Sequence, residues 1–150
     1  MTAVNYADQA ALYRAALLLG LVRGDEVIRW ADLVIGEDAS APAAFVEIAT
    51  TDPDDLTSLR ERLLAIGEAR ESSQVVRRLI GLVQRDLASG RRTLQDTMTV
   101  IKQLRAFVAV DRDLNEHLKA LGVDIFMAPA GSQARADAEQ RVRDWLRQYE

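Results

Sequence analysis

Three observations point to an all-α fold, an irregular bundle of six to eight helices over residues 1–150 as a single domain. Apolar residues recur at helical spacing through most of the chain, Gly and Pro punctuate those stretches, and no segment alternates long enough to make a convincing strand. Such a set of helices can bury its apolar stripes only by packing them against one another.

The elements follow in order. From Asp8 to Val22 apolar residues crowd every face (Leu12, Tyr13, Ala16, Leu17, Leu18, Leu19, Leu21), which predicts a central helix. Gly24 suits a left-handed stop, and Asp25 with Glu26 suits the positive start of a second helix over Asp25 to Ile35, with Val27, Ile28, Ala31, Val34 and Ile35 inward and Trp30 at the edge. Pro42 reads as the first-turn proline of a short third helix ending at Ile48. Asp52-Pro53-Asp54-Asp55 predicts an N-cap, a first-turn proline and two first-turn acids opening a fourth helix, whose stripe is Leu56, Leu59, Leu63 and Ile66.

Ser72 or Ser73 can cap a fifth helix with Val76, Leu79, Ile80, Val83 and Leu87 on one face, stopped at Ser89-Gly90. From Thr93 to Leu121 there is neither Gly nor Pro, and Met98, Ile101, Leu104, Val108, Leu114 and Leu118 favour one long helix. Against continuity, Asp113 with Glu116 could form a capping box after a break near Val110. Val123 to Pro129 is expected to lie extended over the bundle end, and Ser132 to cap a last helix with Ala134, Ala138, Val142, Trp145 and Tyr149 inward. No residue pattern recurs at the period of about 30–45 residues that marks helical solenoids.

Composition narrows the function. The 150 residues are 49% apolar and 28% charged, an ordinary globular balance. Without cysteine there can be no disulfide, thiolate nucleophile or sulfur-based zinc site, and a reducing compartment fits. Met1 to Tyr6 shows no signal-peptide start, and the purest apolar run, Ala15 to Val22, is too short to cross a bilayer, so the chain is expected to be cytoplasmic and off the membrane. Lys102 and Lys119 are the only lysines beside seventeen arginines, a bias that fits a GC-rich bacterial genome. Charge is uneven: Met1 to Ala69 holds five Arg against twelve acids, or −7, and Arg70 to Glu150 holds fourteen basic residues against eleven acids, or +3. Such a dipole can steer a partner or favour self-association, although mutual packing of the halves explains it more simply.

Catalytic constellations are scarce. The sole histidine, His117, neighbours Leu118 without a nucleophile in sequence and reads as a boundary residue. Asp111, Asp113 and Asn115 have the first three ligand spacings of a calcium loop, but Glu116 stands where glycine belongs and Gly122 where the bidentate Glu belongs. No cofactor motif and no metal site is expected. The paired acids Asp25-Glu26, Glu37-Asp38 and Asp54-Asp55 all fall at helix ends or in loops.

The chain therefore reads as a small protein-binding, regulatory or accessory module without catalysis, with another protein or a second copy as partner and Glu37, Asp38, Asp54 and Asp55 as its candidate surface. The alternative is nucleic-acid binding by the arginine-rich helix over 70–92, through Arg77, Arg78, Arg85, Arg91 and Arg92, whose charges could follow a phosphate backbone. Pairing of these arginines with the acidic half is the simpler expectation. A metal-dependent enzyme built on Asp111, Asp113 or His117 ranks third.

Overall fold

A computed structural model describes residues 6–67 and 72–150, without the Ser72 side chain. Arg70, and any capping by Ser72, therefore lie outside the described residues. The described chain is all-helical, with no strand: α1 (Tyr6–Leu18), α2 (Gly24–Glu37), α3 (Ala44–Ala49), α4 (Leu56–Ile66), α5 (Ser72–Ala88), α6 (Leu94–Phe107), α7 (Arg112–Met127) and α8 (Gln133–Arg147). They gather into two compact units, Met1–Val75 and Val76–Glu150.

In the first unit α1 packs on α4, and α3 packs on both α2 and α4. Ala10, Leu17, Val27, Ala31, Val34, Phe45, Ile48, Leu59 and Leu63 form one buried cluster. Each large side chain there contributes roughly 1.5–3 kcal/mol by leaving water. Aromatic rings close the rim: Trp30 stands between Tyr13 and Phe45 at centroid distances of 4.8 and 5.1 Å, and its Nε1 donates to Gln9 Oε1 at 3.2 Å. Arg62, on α4, donates to the Glu47 carbonyl at 3.1 Å and to Thr51 Oγ1, which ties it to the end of α3.

In the second unit α7 packs on α6 and on α8. Arg105 Nε on α6 donates to Asn115 Oδ1 on α7 at 2.9 Å, and Arg135 on α8 donates to the Ile125 and Ala128 carbonyls at 3.0 and 3.2 Å. An arginine from the fourth helix thus satisfies open carbonyls at the end of the third in both units, where the helix dipole also favours a cation.

The likeness goes further. A shift of 70 residues carries the bounds of α2 onto those of α6, and the last residue of α1, Leu18, onto that of α5, Ala88. The connecting turns match in their first two hydrogen bonds: Leu19 N–H bonds to Ala15 O and Gly20 N–H to Leu17 O at 3.0 and 3.2 Å, as Ser89 N–H does to Arg85 O and Gly90 N–H to Leu87 O at 3.0 and 3.2 Å; the third differs by one residue, Leu21 N–H bonding to Ala16 O at 2.8 Å but Arg92 N–H to Asp86 O at 3.1 Å. Gly20 and Gly90 have φ of 70° and 76°, the left-handed conformation that such a helix stop requires. Burial follows the same shift at Ala10, Ala16, Gly24, Val27, Ala31 and Val34, buried like Ile80, Asp86, Leu94, Thr97, Ile101 and Leu104, but departs from it in the turn, where buried Leu19 and Leu21 answer exposed Ser89 and Arg91. Beyond these helices the units part, for α3 has 6 residues and α7 has 16.

Several expectations need correction. Gly20, not Gly24, carries the left-handed stop; Gly24 opens α2, and a Cβ there would lie 1.9 Å from the Pro53 carbonyl oxygen. Asp55 rather than Asp52 caps α4, accepting from Ser58 N–H at 3.1 Å, while Asp52 accepts from Asp54 N–H at 2.9 Å within the preceding turn. The long helix from Thr93 breaks after Phe107, because Asp111 caps a new helix by accepting from Leu114 N–H at 3.3 Å. Val123 to Met127 is the last turn of α7, not an extended strap. Ser132 caps α8 as expected, accepting from Arg135 N–H at 3.1 Å, but Ala134 is exposed and Trp145 only half-buried. Ile35 and Leu56 also lie exposed, at the edges of their stripes.

Candidate functional site

The four acids proposed as a binding surface do not form one common cluster of hydrogen bonds. Asp38 is committed to its own loop: Tyr6 Oη donates to Oδ2 at 2.6 Å, and Ser40 donates to Oδ1 from its backbone N–H and its hydroxyl at 3.0 and 2.7 Å. The Tyr6 hydrogen bond, followed by those from Ser40, holds the Asp38 carboxyl below its ordinary range, and the same bond holds the Tyr6 phenol above its own. Asp55 is likewise lowered, by Ser58 hydroxyl and backbone donors. Glu37 and Asp54 are exposed. Two of the four acids thus have a local structural role.

The five arginines also divide. Arg77 and Arg78 are exposed on α5, whereas Arg85, Arg91 and Arg92 converge on Asp86, which is 1% exposed. Arg85 Nη2 lies 3.2 Å and Arg91 Nη1 3.7 Å from Asp86 Oδ1, and Arg92 Nε lies 3.1 Å from Oδ2. A buried carboxylate without partners would be costly, and these cations supply them. Arg85, Arg91 and Arg92 therefore balance an acid of their own unit, Asp86.

Of the calcium-like set, Asp111 caps α7 and Asn115 holds Arg105. Among the described residues no three His, Cys, Asp or Glu side chains come together as a metal site. His117 sits beside the Trp145 ring at 5.1 Å.

What the sequence reading missed is a groove between α6 and α7, lined also by Arg135 of α8, with a volume of about 690 Å³. On α6 its wall is Gln95, Met98, Thr99, Lys102 and Arg105, and on α7 it is Lys119, Gly122, Val123 and Phe126. Both sets follow the three-and-four spacing of one helix face. Met98 was expected in the core, but it belongs to this wall. Beside the groove Phe126 is 84% exposed and Met127 72% exposed, and Phe107 at the end of α6 is 66% exposed. Four cations line the groove, Lys102, Arg105, Lys119 and Arg135, and among the described residues no acid does. The available sequence signal was that both lysines of the chain fall one helical face from apolar residues.

No protein-family model, curated protein or solved structure matches the chain. Among the described residues no helix is long and apolar enough to cross a membrane.

Proposed function

We propose that the chain is a non-catalytic protein-binding module that docks a partner on the α6–α7 face of its second unit. The observation that carries this reading is the groove itself, with Phe126 and Val123 presented to solvent beside it. Large apolar side chains that gather around a concavity gain little by staying wet, and such patches mark interaction sites far more often than isolated apolar residues do. The groove holds no nucleophile–base pair, which favours binding over catalysis. Nucleic-acid binding through the arginine-rich segment over 70–92 has less support, because Arg85, Arg91 and Arg92 are engaged with Asp86.

The test is affinity capture from native lysate with the full chain and with Phe126→Glu, a substitution at an exposed position that should leave the thermal melt within a few degrees of wild type. The reading expects a protein retained by the wild type and lost from the variant. Equal retention by both, or retention of nucleic acid in place of protein, would contradict it.

A further inference from the structure

We infer that the occupant of the α6–α7 groove is an acidic amphipathic helix of a partner protein. This rests on the protein-binding reading above and adds the chemistry of what binds. Shape is the first argument. The walls are two helix faces, Gln95 to Arg105 on α6 and Leu118 to Phe126 on α7, which at 1.5 Å per residue run alongside one another for about 12–15 Å. That length accepts about two to three turns of a third helix, and the apolar strip of Met98, Val123 and Phe126 is what the apolar face of such a helix would cover. Lys102, Lys119, Val123 and Phe126 of its lining are exposed, whereas a small-molecule site buries most of its ligand.

Charge supplies the second argument. Arg105 and Arg135 are already engaged, with Asn115 and with Glu139 and the α7 carbonyls. Lys102 and Lys119 face each other's helix across the groove lining, both exposed and neither in an ion pair among the described residues. The nearby acids Asp124 and Glu139 pair with Arg141 and Arg135 at 3.9 and 3.2 Å. An incoming helix with Leu or Phe at positions i, i+3, i+4 and i+7 and Glu on both flanks would seat its apolar stripe on the strip and its carboxylates against the two lysines. A basic helix would meet four cations.

Three synthetic helices with one shared leucine stripe and flanks of Glu, Gln or Lys provide the probe, read by fluorescence anisotropy with the full chain at 50 and 300 mM salt, between which the Debye length falls from about 14 to about 6 Å. The Glu-flanked peptide should bind at least tenfold tighter than the Lys-flanked one, the gap should narrow severalfold at the higher salt, and Lys102→Glu with Lys119→Glu should invert the preference. Both lysines are exposed, so circular dichroism of the double variant should match wild type. Equal binding of all three peptides, abolished by Phe126→Ser, would overturn the charge inference while leaving protein docking intact. A preference that the double variant does not change would overturn it also. Binding of none of the peptides, together with lysine-dependent sedimentation on phosphatidylglycerol vesicles, would replace both readings with attachment to an anionic surface.

Discussion

The helix–turn–helix of α1 and α2 and that of α5 and α6 share a left-handed glycine stop and the bounds of their second helix but not a chemistry. Over 32 aligned positions starting at Tyr6 and Val76, only Leu12, Leu17 and Gly20 recur, as Leu82, Leu87 and Gly90. The first unit solves the shared geometry with small and apolar residues: Ala16 is buried at the end of α1, and Gly24 lets α2 begin against the Pro53 carbonyl. The second unit places Asp86 and Leu94 at those positions and answers the buried charge with Arg91 and Arg92, where the first has Leu21 and Val22. On the outer face Asp32 corresponds to Lys102 and Glu37 to Phe107. Burial pattern and turn geometry define the fold; the side chains on top of them are open to change, and in the second unit they furnish a cationic, apolar groove.

The largest expected break of this comparison is at Gly24. Because an added Cβ would meet the Pro53 carbonyl oxygen at 1.9 Å, Gly24→Ala should destabilise by about 3 kcal/mol, the upper part of the overpacking range. A urea midpoint within error of wild type would mean that the α2 start is not held against that loop.

Next in size is Asp86→Asn, which keeps the shape but leaves three guanidinium groups without their carboxylate. Two of those arginines are about half in solvent, which limits the loss to about 2 kcal/mol. Replacing Asp86 with Ala and Arg91 with Leu, the residues of the first unit at those positions, should recover part of it. A double variant weaker than the sum of its parts would show that the charge cluster is not the second unit's substitute for an apolar turn.

A smaller effect separates the two units by pH. Asp38 and Asp55 have lowered folded-state pKa values, so between their folded and unfolded values the unfolded chain binds more protons. Their stabilisation is present above the unfolded value near 3.8 and disappears as pH falls through the lower folded values. Tyr6 is raised, so its contribution is present below pH 10.0 and fades as pH rises through its higher folded value. Tyr6→Phe should flatten the alkaline side of the stability profile and, by removing the main donor to Asp38, also lessen the acid dependence. An unchanged profile would sever the Tyr6–Asp38 link. Smallest of all, Lys102→Glu should shift stability by less than about 0.5 kcal/mol, as expected for an exposed position away from a structural contact.

How much of this was legible in the sequence differs by feature. Helix periodicity exposed nearly every buried stripe, because Leu59 with Leu63, or Val76 with Leu79, Ile80 and Val83, must share a face whatever surrounds them. Helix starts were less legible where several acids compete: in Asp52-Pro53-Asp54-Asp55 the choice of Asp55 depends on which backbone N–H each carboxylate reaches. The absence of Gly and Pro between Thr93 and Leu121 favoured continuity, while the acids after Val110 pointed to the break that the structure has there, made by Asp111 as the cap of α7. The recurrence at 70 residues escaped notice because it is carried by burial and dihedral angles, with Ala answered by Asp and Gly by Leu. The groove was invisible for a related reason. Met98 and Val123 fit an apolar stripe equally well whether a neighbour covers them or not, and only the separation of α6 and α7 decides that they line a groove.

The measurement that tests the central claim most directly is amide chemical-shift mapping of the full chain titrated with the Glu-flanked helix. Shifts should concentrate on Gln95 to Arg105 and Lys119 to Phe126, with α2 and the loop around Asp54 unmoved. Shifts gathered instead on Leu33, Glu37 and Asp54 would place the docking surface on the first unit and contradict the account.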